Sequence, residues 1–199
     1  GFSGKISNAL INLTKKFSIK NLTTEISNTK KIGSNEFELM IKSGSIYDIN
    51  LSDSNINVKL EKDKINIKSL LETKGKLDFL QIKKISNLFG LEVKKFENIN
   101  GTIDLSTNIN FDLNKKLRIK NLFYEITGNM EDFEIHTKEK KIIEEYLPEY
   151  DPKIVLKNTN IKFANLESGH NLELDGQIKI KDSFDNFKIK EFYKHKVYD

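Results

Sequence analysis

Ile99–Leu113 reads INGTIDLSTNINFDL. Ile99, Ile103, Leu105, Ile109, Phe111 and Leu113 share one parity, while Asn100, Thr102, Asp104, Asn108, Asn110 and Asp112 occupy the other. A period of two sustained this far predicts a β-strand with one dry face and one wet face. At about 3.3 Å per residue it is far longer than the usual five or six residues. Long strands with a single dry face build a curved trough more readily than a compact sandwich.

Downstream, Lys115–Thr127 is KKLRIKNLFYEIT, which echoes Lys15–Ser27, KKFSIKNLTTEIS, at eight identical positions. Each copy follows a Gly-x-Ile start, at Gly4–Ile6 and Gly101–Ile103. The pair points to a repeated β unit, at residues 4–28 and 101–127. In both copies the apolar parity slips by one at Lys-Asn. Phe17 and Ile19 give way to Leu22 and Ile26, and Leu117 and Ile119 give way to Leu122, Tyr124 and Ile126. A tight turn between two strands would explain the slip. A β-bulge, which inserts one residue and returns the side chains to the same face, or a sharp bend, explains it better.

The remaining chain fits the same pattern. Phe37, Leu39 and Ile41 alternate, Gly44 marks a turn, and Ile46–Leu51 forms the next short run. Ile56, Val58 and Leu60 alternate again, and the Glu61–Lys64 turn leads to Ile65, Ile67 and Leu71. Such spacing describes an antiparallel meander. The period changes at Asp78. Phe79, Ile82, Ile85, Leu88 and Phe89 follow helical spacing, Asp78 and Gln81 form a capping box, and Gly90 stands where a terminating glycine would. An amphipathic helix over 78–89 is expected, its apolar stripe covering an open end or face of the sheet. A membrane-surface helix carrying Lys83 and Lys84 is the rival reading. Strands resume at Leu91–Phe96. A second helix is expected at Lys138–Leu147, stopped by Pro148 and Pro152. Lys153–Phe163 and Leu172–Ile180 read as strands, and Phe184–Tyr198 as an edge strand or frayed end.

Composition supports a one-sided sheet. The apolar fraction is 37%, against roughly 45–50% in ordinary domains. The charge of +4 is interspersed and almost wholly lysine, with Arg118 alone. Nucleic-acid recognition, which concentrates arginines and stacking aromatics, is therefore not expected. Weak attraction to an anionic membrane surface stays open. The chain has no cysteine, which excludes disulfides and thiolate chemistry. No run of eighteen apolar residues exists to span a bilayer as a helix. The sequence starts in mid-pattern at Gly1, as expected of a single segment, 1–199, excised from a longer protein.

No catalytic constellation emerges. His136, His170 and His195 lack metal-ligand spacing and read as exposed polar residues. The pairs Asp48/Asp53, Glu144/Glu145 and Asp182/Asp185 read as solvated turns and faces, and no serine stands in a nucleophile elbow. Asn12, Asn21 and Asn50 match the glycosylation pattern by accident of composition. No cofactor or metal is expected. What remains is the continuous apolar face. It could be an ordinary core, or a dry trough binding acyl chains at about 0.8 kcal/mol per buried methylene.

The long run INGTIDLSTNINFDL, the KK-x-x-IKNL units and the upstream helix LDFLQIKKISNLFG resemble the AsmA-like group, which includes the TamB and YhdP proteins of Gram-negative envelopes. The resemblance covers most of 1–135 and, more loosely, 150–190. It implies a mainly β fold: a long, curved, twisted antiparallel sheet forming an open groove, a β-taco or incomplete barrel, with one or two short amphipathic helices. It implies a non-enzymatic role in moving phospholipid between the inner and outer membranes. The implied setting is the periplasm, within an inner-membrane-anchored protein whose anchor lies outside this chain. The groove lining would be Ile19, Leu22, Ile26, Phe37, Leu39, Ile41, Ile103, Leu105, Ile109, Phe111, Leu113, Ile119, Leu122 and Ile126. Phe79, Ile82, Ile85, Leu88 and Phe89 would cover it. Implied partners are phospholipid or another long-chain lipid, neighbouring segments of the same protein, and other envelope proteins. The alternative is a structural or protein-interaction β module with a closed core. Residues 138–152 have no counterpart in the group.

Overall fold

A computed structural model describes residues 1–14, 17–88, 96–137, 153–180 and 182–194. Its strands are β1 (Phe2–Thr14), β2 (Phe17–Lys31), β3 (Ser34–Ile46), β4 (Ile49–Leu60) and β5 (Lys64–Asp78). After one helix, α1 (Phe79–Leu88), come β6 (Phe96–Asn114), β7 (Ile119–Thr137), β8 (Lys153–Leu166), β9 (Gly169–Ile180) and β10 (Ser183–Lys194). They form a single ten-stranded sheet in the order β1 to β10. Every neighbouring pair is antiparallel, and β1 and β10 each have one partner, so the sheet is not closed into a barrel.

The expected long strand is present and longer still. β6 runs for 19 residues, as does its neighbour β7, about 60 Å at the usual rise. The capping box also forms as read, with Asp78 N–H donating to Gln81 Oε1 at 2.7 Å and Gln81 N–H to Asp78 Oδ1 at 2.8 Å. The expected turn at Glu61–Lys64 closes with a 2.9 Å hydrogen bond from Glu61 N–H to Lys64 O.

Two readings need correction. Gly44 does not turn the chain but lies inside β3, opposite Leu51. The turn falls at Tyr47–Asp48, where both residues have positive φ (49° and 66°). A two-residue hairpin of this hand matches strand twist, and a tyrosine at such a position carries no sequence signal. His170 is not an exposed polar residue but is half-buried, as described below. The strand expected at Leu91–Phe96 lies, apart from Phe96 at the start of β6, outside the described residues. The helix expected at Lys138–Leu147, Phe89, the pair Glu144/Glu145 and His195 lie wholly outside them.

The slip at Lys-Asn is a bulge in both copies. Asn21 and Asn121 both take φ of 52°, and the bulged strand carries one residue more than its neighbour: Leu22 to Ile19 against Ala9 to Ile11, and Phe123 to Lys120 against Asn110 to Asp112. The same device recurs at Asn8, Asp53, Asp132 and Asn158, with φ between 47° and 51°. Asn and Asp visit the left-handed region most readily after glycine, because their short polar side chains bond locally. The chain's Asn and Asp content thus does structural work along the sheet. The two echoed units lie in β1–β2 and β6–β7, five places along the strand order, and so run in opposite directions.

Candidate functional site: one apolar face

Each bulge returns the next side chain to the same face, so parity changes sign along the strand while the dry face stays continuous. On β7 this face passes from Ile119 to Leu122, Tyr124, Ile126 and Met130, and after the Asp132 bulge to Phe133 and Ile135. The register carries it across the sheet in rows. One runs Ile26, Leu39, Ile56, Ser69, Ile109, Tyr124. Another runs Leu51, Thr73, Leu105, Gly128, Ile161, Leu174, Ile189.

All the lining positions expected from the sequence fall on this face, but they do not form one cluster. Ile19, Leu22, Ile41 and Leu51 make one buried group, against which Ile11, Ile46 and Leu71 pack. Ile49, Ile99, Ile103, Met130, Phe133 and Leu156 make a second, joined by Leu105 and by Phe79 and Ile82 of α1. Ile26, Phe37, Leu39, Ile109, Phe111, Leu113 and Ile126 are half-buried. Ile119 and Leu122 are exposed, at 56% and 40%. Ile85 and Leu88 lie in the last turns of α1. Sequence reading missed the central weight of Met130, Phe133 and Leu156. All three lie on strands where a bulge has reversed parity, and a simple alternation count loses the face there.

Close approach at the bulges is possible because a small residue sits opposite. A Cβ on Gly101 would stand 2.8 Å from Phe133 Cα, and one on Gly176 would stand 2.6 Å from Thr159 Cα. Gly44 similarly meets Ile19 Cγ2 at 3.3 Å and Leu22 Cδ1 at 3.5 Å. Where the residue after the bulge is Ser54, the opposing position admits Leu71. Where Leu122 meets Phe111 there is no glycine, and Leu122 remains exposed.

The polar groups on the dry face are satisfied within the sheet. Thr24 Oγ1 donates to Met40 O at 3.0 Å, Thr73 Oγ1 to Leu105 O at 3.2 Å, and Thr159 Oγ1 to Lys157 O at 3.2 Å. Ser54 Oγ accepts from Glu72 N–H at 2.8 Å and donates to Ser52 O at 3.1 Å. No buried side-chain polar atom among the described residues lacks a partner. Near the bulges, the Thr24, Ser54 and Thr159 hydroxyls take up backbone groups where the ladder is interrupted.

One end of the face is aromatic. Phe163 stacks with His170 at 5.7 Å between centroids, and Tyr124 lies 5.9 Å from Phe163 and 6.3 Å from His170. Tyr124 Oη is 3.4 Å from His170 Nδ1, and burial raises the Tyr124 pKa above its usual value. His170 is therefore half-buried against rings, which its isolated position in sequence does not reveal.

The opposite face is a lattice of cross-strand ion pairs, including Lys74–Asp104, Lys153–Glu134 at 2.7 Å, Lys162–Glu125 at 3.1 Å and Lys190–Glu173 at 3.0 Å. Exposed pairs of this kind each contribute little but keep the face wet. Among the described residues no group of His, Asp and Glu is arranged to hold a metal, and no helix is long and apolar enough to cross a membrane. A depression of about 440 Å³ near β1–β3 is bordered mostly by outer-face residues such as Lys5, Glu25 and Glu38. It offers no converging chemistry. Comparison with protein-family models, curated proteins and solved structures gave no match.

Proposed function

We propose that the chain is a non-enzymatic lipid-binding segment: the sheet curls its apolar face into an open groove that takes the acyl chains of phospholipids. The observation that carries this reading is an unclosed ten-stranded sheet with one continuous apolar face whose polar groups are already satisfied. The accessible surface supports it. The chain exposes 13955 Å² for 23.0 kDa, where a compact monomer of that mass exposes about 9,600 Å². A ligand without directional needs, bound through area alone, suits such a face. The resemblance to AsmA-like proteins extends the proposal to phospholipid movement across a Gram-negative periplasm. There the partners would be neighbouring segments of the same protein and other envelope proteins.

The second reading is a structural or protein-interaction module whose apolar face is simply its core. It draws support from Leu22, Ile41 and Leu51, each only 2% exposed without any ligand. Native mass spectrometry separates the two. Detergent-free protein incubated with phospholipid vesicles should carry bound phospholipid, and the double variant Ile109→Asp, Phe111→Asp should lose it while keeping its β circular dichroism. Absence of lipid from the unaltered protein overturns the groove reading.

A further inference from the structure

Alternating strand direction puts the β2–β3, β4–β5 and β6–β7 turns at one end of the sheet. Asn28, Phe37, Val58, Ile67 and Phe111 form one row across β2–β6, and these turns project a similar distance beyond it. Their tips are unusual in what they expose. Ile32, at the apex of the two-residue β2–β3 turn, is fully exposed at 107%, beside Gly33 with φ of 79°. Leu117, in the β6–β7 turn, is 69% exposed, and Ile119 just beyond it is 56% exposed.

Leu117 is also held in an uncommon conformation, with φ of 54°. Its N–H donates to Asn114 O at 2.8 Å, and Asn114 Oδ1 accepts from the backbone N–H groups of Lys116 (2.9 Å) and Arg118 (3.1 Å). A leucine gains nothing locally from the left-handed region, which asparagine or glycine would occupy at lower cost. The turn thus spends backbone energy to present an apolar side chain to solvent.

The β6–β7 tip is strongly basic, while the β4–β5 turn balances Lys62 and Lys64 against Glu61 and Asp63. Lys115, Lys116, Arg118 and Lys120 fall within six residues without an acid, a local charge equal to the formal +4 of the whole chain. Lys115 reaches across to Asp63 of the β4–β5 turn at 2.6 Å, tying two tips together, and Lys31 pairs with Glu36 at 2.7 Å. Apolar apices set in a basic surround match the interface of an anionic bilayer, where acyl chains lie just beneath phosphate.

We propose that this end of the sheet docks on an anionic phospholipid bilayer, with Ile32 and Leu117 entering the headgroup–acyl boundary and Lys116, Arg118 and Lys120 meeting lipid phosphates. Docking here stands apart from groove occupancy. The Ile109→Asp, Phe111→Asp variant keeps docking whatever happens to its bound lipid.

The chain has no tryptophan, so Leu117→Trp and Ile32→Trp each supply a single reporter. With vesicles of mixed phosphatidylglycerol and phosphatidylcholine, both emissions shift to the blue and are quenched by brominated acyl chains. Phosphatidylcholine vesicles alone, or about 0.5 M salt, suppress the shift. A reporter at Phe184, 40% exposed on the first residues of β10 near the opposite end, stays unshifted. In co-sedimentation, Lys116→Gln and Arg118→Gln each weaken binding roughly fivefold, and Ile32→Asp with Leu117→Asp abolishes it. Three results overturn the proposal: no shift at either tip on anionic vesicles, an equal shift at position 184, or equal binding to phosphatidylcholine.

Discussion

Asn121 donates its side-chain amide to Asp112 Oδ2 at 2.8 Å while its own backbone turns left-handed at φ 52°. One residue therefore makes the bulge and ties it to the neighbouring strand. Asn121→Ala should cost about 1–2 kcal/mol for the backbone alone, since alanine resists this region. Asn121→Gly recovers that part but not the hydrogen bond. Urea midpoints should rank the wild type above Gly, and Gly above Ala. Equal losses would mean that the bulge conformation is not what the position selects.

Acid should loosen the sheet through the same carboxylate and two others. Hydrogen bonds from Asn66 and Asn121 hold Asp112 below its ordinary pKa, Lys153 does so for Glu134, and Lys190 with Asn171 for Glu173. A carboxyl depressed in the folded state stabilises fully above its unfolded pKa of about 4 and loses that stabilisation as pH falls through the folded value. Midpoints should be flat from about pH 7 to 5 and decline below about pH 4. Asp112→Asn should flatten part of the decline. A profile unchanged by that variant would remove Asp112 from the account.

Gly101 and Phe133 should behave as one unit. A methyl at Gly101 meets the Phe133 backbone and ring, so Gly101→Ala should destabilise by about 1–3 kcal/mol. Phe133→Ala empties a buried position and should cost about 3–5 kcal/mol. Because part of the Gly101 contact is with the ring, the double variant should lose less than the sum of the two. Strict additivity in a denaturation cycle would count against ring-over-glycine packing.

Ser54 fills a gap in the ladder between β4 and β5. Its Oγ accepts from Glu72 N–H, and the side chain is 2% exposed. Ser54→Ala would strand that donor beside the Asp53 bulge, at about 1–3 kcal/mol. Amide hydrogen exchange at Glu72 should accelerate more than at Lys68, which reads the loss locally. No change at Glu72 would show that the hydroxyl is dispensable.

The fold was legible where side chains alternate without interruption. Ile99 to Leu113 disclosed β6, and Asp78 with Gln81 disclosed the start of α1, because both signals are local and periodic. The Lys-Asn slips disclosed the bulges at Asn21 and Asn121, since two similar words made a one-residue offset visible. The bulges at Asp53 and Asp132 had no second copy to compare with, and Lys157-Asn158 only faintly echoes the Ile-Lys-Asn pattern, so Phe133 and Leu156 could be read as strand residues but not as the centre of a face. Tyr47–Asp48 was missed because a tyrosine with φ of 49° gives no turn signal, and Asp48 alone does not mark a turn. The grouping of Tyr124, Phe163 and His170 was hidden for another reason. It depends on the β7–β8–β9 register, and His170 lies 46 residues from Tyr124 in the chain.

The sequential strand order has a mechanical consequence. With no crossover, each described strand is hydrogen-bonded only to the strands that flank it in the chain, while side chains such as Ile49 of β4 pack in one cluster with residues of β6 to β8. The backbone pairing is then a series of nearest-neighbour interfaces, as in linear repeat arrays. Such a sheet can unzip from its margins while its middle holds. β10, almost wholly exposed along its length, should open first, and the β6–β7 pair, the longest in the sheet, should open last. Hydrogen exchange would read this as protection graded from margin to centre. Losing an outer strand would then subtract one interface and leave the pairing of the others unchanged.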